Sequence, residues 1–76
     1  MNAPFSASVE LYLHVAGECF ELGQLGPGFA LLRVARAIEA TAAVIEVIVD
    51  QASTRRPVRL TRPSTTLSRR FEFEAA

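Results

Sequence analysis

The stretch that decides the fold runs from Phe29 to Asp50 and reads FALLRVARAIEATAAVIEVIVD. It is the densest apolar run of the chain and contains neither Gly nor Pro. As one helix it would present a stripe of Leu31, Ala35, Ile38, Ala42, Ile45 and Val49. As strand, connector and strand, it would supply central elements of a small sheet. Three features favour the strands. Val44, Ile45, Val47, Ile48 and Val49 are β-branched, which suits a pleated surface better than a helix. No Ser, Thr, Asp or Asn stands at the start as an N-cap. The charges also oppose a helix dipole, with Arg33 and Arg36 near the N-terminal end and Glu46 and Asp50 near the C-terminal end. Each effect amounts to about 1 kcal/mol or less, and all point the same way. The pattern therefore predicts strands over Phe29–Val34 and Ala43–Asp50. The Ala-rich connector Ala35–Ala42 leaves room for one short helix at 35–42; the alternative is an α+β fold with a helix at 29–42.

On the N-terminal side, Val9, Leu11, Leu13 and Val15 alternate with Glu10, Tyr12 and His14, the period of a half-buried strand. Ala16-Gly17 supplies a turn, and Phe20 and Leu22 continue the alternation beyond it. With Val15 and Glu18 flanking the turn, Leu13 faces Phe20, Leu11 faces Leu22 and His14 faces Cys19. This register gathers every apolar residue of the hairpin on one face, whereas a slip of one residue would split the set. Ala16 suits a type I′ turn poorly, which leaves room for a bulge beside it. Gly26-Pro27-Gly28 then marks a second turn.

On the C-terminal side, a loop over Gln51–Thr54 leads to Arg55-Arg56-Pro57-Val58-Arg59-Leu60-Thr61. Pairing Asp50 with Arg55 would set Val47 opposite Val58, Ile45 opposite Leu60 and Glu46 opposite Arg59. Pro57 cannot donate to a ladder, so it points to an edge strand or to a nitrogen directed away from the neighbour. Phe71 and Phe73 alternate with Glu72 and Glu74, so residues 63–76 read as a late strand or a flexible tail. Residues 1–7 read as a loose lead-in. The sum is one small all-β domain over 1–76. Its architecture is a five- or six-stranded antiparallel meander forming a small barrel or two-layer sandwich.

The segments Gln24–Arg33, Val44–Asp50 and Arg56–Leu60 resemble a set of small bacterial β-rich proteins. Those share a hydrophobic hairpin, an L-G-P-x-F-x-x-L-R segment, a V/I-x-V-x-V-D-G strand and an R-x-P-V-R-L closing strand. The resemblance covers residues 9–61 and implies the strand reading of Val44–Val49. It implies no function. This chain departs from the pattern in having no Gly or Pro in its connector and no Gly after Asp50.

With 76 residues, 50% of them apolar, the chain is not disordered by composition. A core this small rarely supplies more than about 3–5 kcal/mol, which favours a homo-oligomer. A single Cys19 rules out an intramolecular disulfide. The N-terminus shows no positive region followed by an apolar one, so no signal peptide is expected. No apolar run approaches the roughly 18–20 residues of a membrane span. The expected setting is cytoplasmic, with no membrane partner.

Net charge is zero but uneven: residues 1–50 carry a balance of −4, and residues 51–70 carry six arginines and no acid. Arg55, Arg56, Arg59, Arg62, Arg69 and Arg70 are the candidate binding residues, suited to a phosphate backbone or an acidic partner. Charges on an edge strand also resist aggregation, and a pI near 6.6 with few aromatics speaks against a dedicated nucleic-acid binder. A catalytic role for the His14–Cys19 pair would need an oxyanion donor and a pocket, and neither is visible. One His and one Cys do not complete a four-ligand metal site, and no cofactor motif is present. No catalytic residue, metal or cofactor is expected. The reading is a non-catalytic protein-interaction or assembly module, with nucleic-acid binding through the arginines as the alternative.

Overall fold

The structure, a computed structural model, describes residues 8–76; the lead-in at 1–7 lies outside the described residues. The described residues form six strands and no helix: β1 (Val9–Val15), β2 (Glu18–Gly26), β3 (Phe29–Leu32), β4 (Ala42–Val49), β5 (Ala52–Arg62) and β6 (Arg70–Ala75). All neighbours are antiparallel, and the sheet closes into a barrel in the order β1-β2-β3-β6-β5-β4. The all-β small barrel expected from the alternation is the fold. Its strand order is not sequential throughout. β6, the late strand, inserts between β3 and β5, and β4 closes onto β1 rather than onto β3.

The first hairpin has the expected register, with Leu13 opposite Phe20, His14 opposite Cys19 and Val15 opposite Glu18. Ala16 adopts φ 52° and Gly17 φ 78°, both positive, so the two-residue turn forms without a bulge in the β1–β2 ladder. The ladder's pull on Ala16 outweighs its distaste for that conformation. In the second turn Gly28 takes φ 74°, the conformation that a Pro-Gly turn demands of its Gly.

The β4–β5 hairpin departs from expectation. In place of a loop over 51–54, Asp50 and Gln51 form a two-residue turn with φ 49° and 73°. Glu46 therefore faces Arg55, not Arg59, and Val47 faces Thr54, not Val58. The shift of four residues is even, so each side chain keeps its face and Val58 and Leu60 still point inward. Nothing in the local sequence announces the turn, because Gln51 takes a place usually held by Gly. It is held from outside the hairpin: the Asp50 N–H donates to the Ser8 carbonyl and the Ser8 N–H to Asp50 Oδ1.

The connector Ala35–Ala42 forms no helix, and β3 stops at Leu32, short of Val34. Residues 35–41 cross one end of the barrel irregularly and bury Ile38. Ser64 and Leu60 tie part of their backbone: the Ile38 N–H donates to the Ser64 carbonyl, Ser64 Oγ donates to the Arg36 carbonyl, and the Leu60 N–H donates to the Thr41 carbonyl. A helix would withdraw those groups and lift Ile38 from the core. The core itself holds Leu13, Val15, Leu22, Ala30, Leu32, Ile45, Val58, Leu60 and Phe71.

The strands differ in length, four residues in β3 and eleven in β5. Closure is therefore partial. β1, β4 and β5 run on together beyond the barrel body, from the Leu11↔Val47 pair to Val9↔Val49 and the Asp50-Gln51 turn. β6 covers β5 only from Val58 to Arg62.

Relieving the positive φ at Gln51 tests the turn. Gln51→Gly is expected to raise unfolding stability by about 0.5–1 kcal/mol, read from the urea midpoint at unchanged slope.

Candidate functional site

Alternation along β1, β4 and β5 sends one set of residues into the core and the other onto the outer wall. On that wall the cross-strand rows place Tyr12 beside Glu46 and Glu46 beside Arg55, with His14 and Ser53 one step to either side. Glu46 is only 7% exposed, a charge that survives burial because it is surrounded by donors. Ser53 Oγ donates to Oε2 at 2.5 Å, His14 Nε2 lies 2.7 Å from Oε1, and Arg55 Nε lies 3.4 Å from Oε2. The Ser53 and His14 hydrogen bonds, with the Arg55 charge behind them, lower the Glu46 carboxyl to about 2. Nearby, Tyr12 donates to Glu10 Oε1 at 2.6 Å, and that bond, with partial burial, raises its phenol to about 12.

His14 and Cys19 stand opposite each other as the register requires, but no hydrogen bond joins them. The imidazole is engaged by Glu46 instead, and Cys19 is exposed. An open cleft of about 560 Å³ lies beside them, walled by Val15, Ala43, Val44, Pro57 and Val58. Among the described residues, no three His, Cys, Asp or Glu side chains are placed to hold a metal ion. The Glu46 cluster ties side chains of β1, β4 and β5 to one carboxylate.

The candidate arginines do not converge on one spot. They follow β5 and the start of β6, and three are joined to acids. Arg55 reaches Glu46, Arg59 Nη2 bonds Glu74 Oε2, and Arg70 Nη2 lies 3.7 Å from Glu72 Oε2 with its guanidinium 4.2 Å over the Phe29 ring. Arg56, Arg62 and Arg69 are exposed and have no ion pair among the described residues. The sequence sets Glu46 only against Arg59 and does not show this cluster, whose importance comes from pairing Glu46 with His14 across 32 positions of sequence. Its only local signal is a carboxylate alone in the apolar run 42–49.

No helix among the described residues is long and apolar enough to cross a membrane. No protein-family model, curated protein or solved structure matches this chain.

Glu46 sets a pH dependence. Its folded value of about 2 lies below the ordinary 4.5, so the unfolded chain binds the proton more readily. The stabilisation is complete above about pH 5 and is lost as pH falls through 4.5 toward 2. Unfolding midpoints in urea between pH 7 and about 2.5 are expected to fall along this limb. In Glu46→Gln the limb is expected to be shallower.

Proposed function

We propose that this protein is a non-catalytic, cytoplasmic protein-interaction or assembly module that works through the open end of its barrel. One observation carries the reading: Val9 and Val49, directly paired across β1 and β4, are 55% and 40% exposed. They continue the row of Leu11, Leu13, Val47 and Ile45 that lines the interior, so the wall of the core runs out into solvent. An apolar row that a closed barrel would bury is covered when a second protein surface lies on it. A second copy is the simplest such surface for a domain whose own core is small. A free, exposed Cys19 suits a reducing compartment.

Nucleic-acid binding through the arginines is the second reading, favoured by Arg56, Arg62 and Arg69, which are exposed and have no ion pair among the described residues. Acids already neutralise the other three, which weakens it.

Light scattering on a sizing column is expected to show an oligomer at about 0.5 mM that becomes monomeric in Val49→Glu without loss of cooperative unfolding. A strict monomer at that concentration would remove self-assembly. For the second reading, DNA retention at low salt should weaken steeply with added salt; no retention at low salt removes it.

A further inference from the structure

We infer that this protein assembles head to tail, with the end of the barrel that carries Leu67 docking on the Val9–Val49 row of the next copy. The contact rests on the reading as a self-assembling module and names the surface that the row meets. Among the described residues four large apolar side chains are exposed, and they fall into two pairs. Val9 and Val49 stand opposite each other at one end of the β1–β4 ladder. Val34 and Leu67 belong to the segments before β4 and after β5, at the other end of those strands. The two segments are tied by the Leu32 N–H to the Arg69 carbonyl and by Ser64 Oγ to the Arg36 carbonyl, and both residues lie between the ties. Leu67 is 96% exposed, on a turn closed by backbone bonds in both directions between Thr65 and Ser68. An apolar side chain held out on a fixed turn loses little freedom when a partner covers it.

The charges around the two pairs are opposite. Arg36, Arg62 and Arg69 flank Val34 and Leu67, are exposed, and have no ion pair among the described residues. Arg33, in the same segment, is already paired with Glu21. Glu39 is the one acid in residues 33–41, and residues 62–70 hold none. At the other end, Glu10 and Asp50 adjoin Val9 and Val49, are exposed, and have no ion pair among the described residues. Arg56, the cation on the inner face there, stands opposite Ile45, four residues further along β4. A two-fold pairing of the row on itself sets Glu10 and Asp50 of both copies together, like charge on like. Head to tail, arginines meet carboxylates while Leu67 covers Val9 and Val49. The eight residues of β4 hold the two surfaces about 23 Å apart, so one copy does not join its own ends. Such an interface repeats from copy to copy, closing into a ring or growing as a chain.

Light scattering on a sizing column, run on the full chain up to about 0.5 mM, is expected to give a mass that rises past the dimer with concentration. Leu67→Glu and Val49→Glu are each expected to be monomeric, with cooperative unfolding retained. Mixed in equal amounts they should recover a complex of two chains and no larger, because one intact pair of surfaces remains. Arg69→Glu should raise the concentration of half-assembly about tenfold. A Leu67→Glu protein that assembles like the wild type, a mixture without a complex, or an Arg69→Glu midpoint at the wild-type value would overturn the head-to-tail contact. If Val49→Glu alone is then still monomeric, self-assembly through the row stands without it. A strict wild-type monomer removes both.

Discussion

The ladder between β1 and β4 is the interaction on which the rest of the structure depends. It joins Val9–His14 to Val44–Val49, segments some thirty residues or more apart, and turns a curled sheet into a barrel. Closure removes the exposed edges that an open sheet of this size would leave along its whole length. It also sets Glu46 beside Tyr12 and near His14, so that a carboxylate from the middle of an apolar strand is held by donors from both neighbours. Burying that charge is tolerable only because the donors are there; removing one would leave it uncompensated. Its lowered pKa and its role as a fastening are one fact.

The small core imposes economy on the rest of the chain. Leu13, Leu32, Val58 and Phe71 are almost completely enclosed, and one end of the barrel is stopped by Ile38 from an irregular connector. Such a connector must satisfy its polar backbone without regular structure. Ser64, itself buried, does part of this by accepting from Ile38 and donating to Arg36. Among the described residues no buried side-chain nitrogen or oxygen lacks a partner.

Unequal strand lengths give the surface its character. Because β3 is short and β5 long, the cylinder closes over only part of the long strands. Past that point β1, β4 and β5 form a three-stranded extension whose inner face is apolar along β1 and β4 and carries Thr54 and Arg56 along β5. The row offered for binding at that end is thus one that a complete closure would have concealed.

Leaving β6 open between a strand and a tail, the sequence by itself determined the class of fold, the strands β1 to β5 apart from their ends, and the buried faces of the first hairpin and of the β4–β5 hairpin. These depend on a period of two and on β-branched content, which are local. It determined the first hairpin's register, because only one pairing gathers Val9 through Leu22 on one face. It did not reveal the β4–β5 register, since an even slip keeps every side chain on its face and the deciding bonds come from Ser8. Nor did it show that Ala35–Ala42 avoids a helix, which rests on Ser64, or that Arg59 meets Glu74 rather than Glu46. The Glu46 cluster and the open end were decided by tertiary structure alone. Both follow from which strands become neighbours, and that depends on long-range pairing rather than on any local pattern.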